Sequence, residues 1–409
     1  MTRKVLLLLI IAFSATETFA ANLGFLDVKC RMDNASPAQQ YDAAKMYSGV
    51  NEKLKQLMSE QRKNGKELKV VIVARAGLDS KNTVLLKDEV NGKPYSVEEM
   101  MQDLDSRAKE LRRRSPNAKT SAIKDDILEK DYIEPKDSAR NLIYTHVGFY
   151  IHSAADAIKE ITEGQEEVAK INAELVAAGR EPIEYTYDPD LVGWRYVHLL
   201  SPCNKNMSRI YKEGGATFFL DNPNEYRAMI MVPTDTIQER IVEIINNTTH
   251  YQPGSGEMQD NIQWSLKPPT YNLVASLDNV EEANSNTWPL YVLALAIRGV
   301  DKGNYHDANK MLKELGFRPS KVRLGGMYKF LIRPWLVGRM FIPKAVKFRK
   351  EDHPAGKPYN VVEINTAISL KEFLERNDAL QTVVEAFPTQ GPVQPTEIEI
   401  EVGTEDNVN

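Results

Sequence analysis

Two of the six histidines in this 409-residue chain stand inside apolar, strand-like runs: His146 in Tyr144-Thr-His-Val-Gly-Phe-Tyr150 and His198 in Tyr196-Val-His-Leu-Leu200. An imidazole there is either a satisfied core residue or a general base that works near neutral pH. If the two strands are neighbours, both rings face one cleft, one as base and the other fixing its tautomer. Asn284-Ser-Asn-Thr287 precedes the apolar run Trp288 to Ile297, and Pro289 is tolerated in a helix only within the first turn. The Asn and Ser residues therefore lie at a helix mouth, where backbone N–H groups favour an anionic nucleophile or oxyanion. Ser285 is the candidate nucleophile there; the competing reading makes it an ordinary N-cap.

Cys203 is the other candidate nucleophile, just past the His198 run. Its only possible partner is Cys30, and in an exported chain such a pair is expected to form a disulfide. The two roles of Cys203 exclude each other while a bridge exists. His146, His198 and Asp221 have suitable ligand chemistry for a metal, but no His-Glu-x-x-His spacing supports one. No P-loop or dinucleotide fingerprint surrounds Gly214-Gly215. We therefore expect neither a metal nor a cofactor.

The elements that must position these groups follow from periodicity. Residues Ala38 to Gln61 read as an amphipathic helix packing through Tyr41, Met46, Leu54, Leu57 and Met58, and Leu68 to Ala74 as a buried strand ending at Arg75-Ala-Gly77. Helices are expected over Ser96 to Arg114 and Ala154 to Ala178, and strands over Leu142 to Ile151 and Trp194 to Leu200. Lys205 to Lys212 is read as a short helix, and Tyr226 to Pro233 as a strand stopped by proline. Thr236 to Asn246 places Ile237, Ile241, Ile244 and Ile245 on one helical face, capped at Thr234 or Asp235, and Tyr305 to Leu315 is a further helix.

Composition narrows the class. A net charge of -5 gives no general electrostatic reason for nucleic-acid binding, and 27% charged residues argue against a multi-span membrane protein. Met1-Thr-Arg-Lys4, the apolar run Val5 to Phe13 and Thr18-Phe-Ala-Ala21 form the three parts of a signal peptide over residues 1–20. Export across the inner membrane, to the periplasm in a Gram-negative host, is expected, with no transmembrane span after cleavage. The expected organisation continues with an N-terminal helical extension (21–64), an α+β core (65–303), a helical, basic and aromatic subdomain (304–390) and an acidic tail (391–409).

Several segments together resemble the DUF2145 family, which is similar to the permuted branch of NlpC/P60 papain-like proteins. They are Ala74-Arg-Ala-Gly77, Tyr144-Thr-His-Val-Gly-Phe149, the run from Trp194 to Cys203, Phe218-Phe-Leu-Asp221, and Tyr271 with Asn284-Ser-Asn-Thr-Trp288. The resemblance implies a papain-like α+β core, helices packed on an antiparallel sheet, with His146 as base and His198 as orienter. Arg75, Tyr144, Asn284, Asn286 and Trp288 would then line the cleft. Ser285 stands where such relatives carry cysteine, and a hydroxyl needs far more help than a thiol to become a nucleophile. The expectation is therefore an exported envelope protein that binds without catalysis. The alternative is an amide or ester hydrolase or acyltransferase using Ser285 or Cys203. Peptidoglycan peptides, lipids or envelope proteins are the implied partners.

Overall fold

The computed structural model describes residues 37–76, 89–90, 93–94, 144–177, 179, 181–182, 184–201, 207–220, 227–251, 257–261, 263–323 and 361–389. Its elements run α1 (Pro37–Lys63), β1 (Val70–Ala76), β2 (Glu89–Val90), β3 (Lys93–Pro94), β4 (Tyr144–His152), α2 (Ala154–Ala177) and β5 (Trp194–Leu200). There follow β6 (Arg209–Glu213), α3 (Gly215–Leu220), β7 (Ala228–Pro233), α4 (Asp235–Thr248), β8 (Thr249–Tyr251), β9 (Glu257–Asp260), β10 (Thr270–Tyr271) and β11 (Glu282–Ala283). The last are α5 (Thr287–Arg298), α6 (Tyr305–Glu314), β12 (Ser320–Arg323), β13 (Val361–Ile364), α7 (Ala367–Arg376) and β14 (Leu380–Ala386).

Eight strands form one sheet in the order β14-β7-β1-β4-β5-β6-β9-β8, with antiparallel pairing throughout. The result is a mixed α+β fold. Strand alternation sorts the side chains into two cores. Val70, Ile72 and Ala74 of β1, with Val147, Phe149 and Ile151 of β4, pack under α4, α5, α6 and α7. Val71 and Val73, with Tyr150 and Tyr196, pack under α1 and α3. Helix α5 is buried around its whole circumference from Thr287 to Ala296, as an all-round apolar sequence demands. Pro289 occupies its first turn, and Gly299 closes it with a left-handed φ of 70°, the usual helix-ending conformation.

Local departures from the sequence reading have physical causes. Arg209–Glu213 is a strand rather than part of a helix: Ile210 and Tyr211 pair with β5 on one side and β9 on the other, and that cross-strand partnership overrides a short segment's own preference. Tyr41 is exposed on α1, while Met46, Leu54, Leu57 and Met58 are buried. Helix α4 begins after Thr234, with Ile237, Ile241, Ile244 and Ile245 buried.

The disulfide expected between Cys30 and Cys203 is corrected: the two cysteines are not near bonding distance, and a bridge needs Cα atoms roughly 4.4–6.8 Å apart. Both cysteines lie outside the described residues, as do the signal segment 1–20, the helix expected over 96–114, Asp221, the basic aromatic run 329–342 and the acidic tail 391–409.

The sequence after residue 304 supplies α6, α7 and the sheet-edge strand β14, and α7 buries Leu370, Phe373 and Leu374 in the larger core. Phe373 packs edge-on against Phe317, with ring centroids 5.6 Å apart. Phe373→Ala should therefore cost about 3–5 kcal/mol and keep a single cooperative transition in guanidinium unfolding. A second, separate transition would show that α7 and β14 fold as an independent unit.

Candidate functional site

Strands β4 and β5 pair with Gly148 opposite His198, so His146 lies two residues along the same face, diagonal to His198. At the other edge of β4, Arg75 of β1 faces His146 and Ala76 faces Tyr144, with an irregularity between them that takes in Thr145. That extra residue turns Tyr144 to the α5 side of the sheet and leaves His146 on the α3 side. Tyr144 belongs to the larger core, while the His146 ring packs on Phe218 of α3.

The two imidazoles meet edge to face, with centroids 4.8 Å apart. His146 Nε2 lies 2.7 Å from His198 Nδ1, and His198 Nε2 lies 2.6 Å from Glu213 Oε1. A linear chain of three titratable groups thus runs through β4, β5 and β6. His198 has no exposed surface, His146 is 5% exposed and the Glu213 side chain 8%, so each bond is made away from bulk water and is stronger for it. Phe218 covers the pair, its centroid 5.4 Å from that of His146 and 5.1 Å from that of His198. The buried Arg75 guanidinium sits 5.0 Å from the same ring centroid and donates to the Phe218 carbonyl oxygen. Phe218 is therefore held through both its ring and its backbone.

The mouth of α5 is a second polar cluster. Asn284 Oδ1 accepts from the backbone N–H groups of Asn286 and Thr287, each at 3.0 Å, and from Thr287 Oγ1 at 2.9 Å. Asn284, rather than Ser285, satisfies the free helical N–H groups. The Ser285 hydroxyl donates to the carbonyl oxygen of Thr145 at 3.3 Å, the residue before His146. Asn365, just ahead of α7, accepts through its carbonyl oxygen from Asn284 Nδ2 at 2.8 Å and Asn286 Nδ2 at 2.9 Å. Its own side-chain amide donates to Thr287 Oγ1 at 3.0 Å. Trp288 is fully buried, edge-on to Phe149 at 5.6 Å.

The structure thus brings His146, His198 and Arg75 together on one face, with Asn284, Ser285 and Asn286 clustered where α5 meets the start of β4 from the other. Tyr144 lies past the irregularity, its hydroxyl donating to Glu385 of β14 and its ring 5.6 Å from the Arg227 guanidinium. Cys203 lies outside the described residues. Among the described residues no group of three His, Cys, Asp or Glu side chains is arranged to hold a metal ion.

Glu213 and Asn365 escaped the sequence reading. Glu213 falls between the helix read over Lys205 to Lys212 and Gly214; in the strand that replaces that helix, alternation from Tyr211 puts it on the His198 side. Asn365 is distant in sequence, and its one local signal is the capping box that follows it, Thr366 with Ser369.

The chain is thus of the mixed α+β class, with an antiparallel sheet that carries a buried imidazole pair and is backed by an all-round apolar helix whose polar mouth reaches the same strand. The chain belongs to the family described as "Uncharacterized protein conserved in bacteria (DUF2145)", whose family model matches residues 134–374. Those residues include the imidazole pair, Glu213 and both sides of the α5 mouth. No curated protein and no solved structure matches the chain.

Gly148 makes the Phe218 lid possible. A Cβ at Gly148 would stand 2.9 Å from Phe218 Cε2 and 3.2 Å from His198 Cβ. Gly148→Val should therefore cost about 1–3 kcal/mol in denaturant unfolding. It should also lift Phe218 from the imidazoles, seen as loss of the ring-current shifts of the His146 and His198 protons.

Proposed function

We propose that this protein is an exported cell-envelope protein with a papain-like core, related to the permuted NlpC/P60 branch, that binds its partner without catalysis. The observation that carries this reading is the Ser285 hydroxyl. It stands where the resemblance calls for a cysteine, it is 2% exposed, and it donates to the Thr145 carbonyl oxygen. A serine becomes nucleophilic when a base takes its proton, whereas this proton points at a backbone carbonyl. The Asn284 and Asn365 bonds further tie up the backbone N–H groups of Asn286 and Thr287, the side-chain N–H groups of Asn284 and Asn286 and the Thr287 hydroxyl. The support for the fold relation is the order along the chain: a histidine strand, a second polar strand residue, then a polar helix mouth backed by an apolar helix on an antiparallel sheet. Peptidoglycan peptides, lipids and envelope proteins are the partner classes compatible with an exported chain.

A second reading has one observation in its favour. The His146–His198–Glu213 chain has the connectivity of a general base held by an orienting group, itself held by a carboxylate. With such a base, Ser285 would act as the nucleophile of an amide or ester hydrolase after turning away from Thr145.

One experiment separates the two. Under the binding reading, a fluorophosphonate probe leaves Ser285 unmodified in intact-mass and peptide spectra. A soluble peptidoglycan peptide, titrated calorimetrically, binds at least tenfold more weakly to His146→Ala, a loss of about 1.4 kcal/mol. Covalent modification of Ser285 that disappears in His146→Ala would overturn the binding reading and establish the hydrolase.

A further inference from the structure

We propose that the outer face of α2 is a self-association surface. It pairs with the same helix of a second copy of this chain, antiparallel, about a two-fold axis midway between Gln165 and Ala169. The inference stands apart from the reading of the α5 mouth, since neither polar cluster described above takes a side chain from α2.

Helix α2 is 24 residues long, and none of its side chains belongs to either hydrophobic core. Among the described residues it is anchored along one side. Asp156 pairs with Lys212 of β6 at 2.6 Å, and Glu160 pairs with Arg195 of β5 at 2.9 Å and accepts from the backbone N–H of Gly193 at 3.0 Å. Tyr185 lies over Gly164, where an added Cβ would come within 2.3 Å of its ring. The far side carries Ile158, Thr162, Gln165, Ala169, Asn172 and Val176. Their alternating spacing of about four and three residues keeps them on one line down the helix. Ile158 is 67% and Val176 60% exposed; Thr162, Gln165 and Ala169 are exposed with them, and Asn172 is half-buried. The Thr162 hydroxyl donates to the Ile158 carbonyl oxygen at 2.8 Å, so it makes its bond within the helix. A surface helix ordinarily turns its charges away from its packed side. Here Lys159, Glu163, Glu166, Glu167 and Lys170 all fall to one flank, and the line opposite the anchors has no charge.

A second copy is the occupant that fits, because a two-fold contact requires a patch complementary to itself, and this line matches its own reverse. Antiparallel alignment sets Ile158 against Val176 of the second copy, Thr162 against Asn172, and Gln165 against Ala169, then repeats each contact past the axis. Apolar layers close both ends, and each Gln165 fills the space over an Ala169. On one flank Ile161 meets Leu175 of the second copy and Val168 meets its own mate. On the other, Glu166 nears its own mate and is compensated by Lys170 of the second copy. A parallel pair would stack Gln165 on Gln165 and Ala169 on Ala169, crowding one layer and leaving a void in the next. A lipid surface fits poorly, since the line lacks the bulky apolar side chains and basic border of an interfacial helix. The contact is one helix wide, and interfaces below about 1,200 Å² are the weak, reversible ones, so the dimer population rises with concentration.

Sedimentation velocity of the full-length protein over a concentration series tests this. The expected result is a weight-average mass that climbs from monomer toward dimer. Ala169→Glu, which adds a charge at the axis, should weaken the association about tenfold or more. Its unfolding midpoint in dilute solution should stay unchanged, because Ala169 is exposed in the monomer. Ile158→Lys, at the end of the line, should weaken it as well. Orientation is read in a Cys30→Ser, Cys203→Ser background: copies carrying Ile158→Cys and copies carrying Val176→Cys should form a disulfide with each other on mixing under mild oxidation, and neither with itself. A monomer at every concentration, a dimer that Ala169→Glu and Ile158→Lys leave intact, or self-linked Ile158→Cys in place of the mixed species would each overturn the proposal.

Discussion

Because β4 has a hydrogen-bonded neighbour on each edge and packed side chains over both faces, each side chain along it must be apolar or find a polar partner where it stands. Val147, Phe149 and Ile151 meet that demand against α5 and its neighbours. On the opposite face Tyr150 stacks on Tyr196 at 4.1 Å, its hydroxyl 3.0 Å from that of Tyr47, and the absent side chain of Gly148 leaves room for Phe218. His146 likewise needs a polar partner from outside the strand. It finds His198 on the next strand, and His198 in turn finds Glu213 on the one after. The polar chain is thus drawn across the sheet by the burial of its first member.

The same constraint explains why the two clusters stay distinct. Helix α5 covers the face formed by Phe149, and its mouth meets β4 at Thr145, where the strand is irregular. Asn365 ties that mouth to the start of α7, and the Thr366–Ser369 capping box anchors α7 in turn. Strand β14 continues from α7 to the edge of the sheet. The far end of the chain therefore holds the α5 mouth in place, and a shift of α7 would disturb Asn284 before it touched either imidazole.

Long apolar runs made most of this legible beforehand. β1, β4, β5, β7 and α5 announce themselves by composition and period, and the isoleucine spacing of α4 gives both the helix and its buried face. The histidines stood out because polar residues are scarce in such runs. Glu213 did not, since a five-residue strand rich in charge carries too little local signal to declare its period, and only pairing with β5 and β9 decides it. Asn365 was illegible for another reason: an asparagine bonded to residues about 80 positions away leaves no trace in any local window. The sheet face of Tyr144 turns on one extra residue at Thr145, and such irregularities come from strand pairing, not from the strand's own sequence.

Stability alone does not account for the chain of His146, His198 and Glu213. Burying a carboxylate and two imidazoles costs their hydration, and even good mutual bonds only about restore it; well-packed apolar side chains of similar volume commonly do as well or better. The surrounding face shows how readily this sheet could be closed that way, since Tyr196 stacks on Phe218 and Phe219 packs edge-on to both beside the histidines. An apolar side chain at His198 would extend that cluster without strain on the backbone. What it could not supply is a polar partner for the buried ring of His146 on the neighbouring strand. Linked buried groups of this kind are where functional sites concentrate.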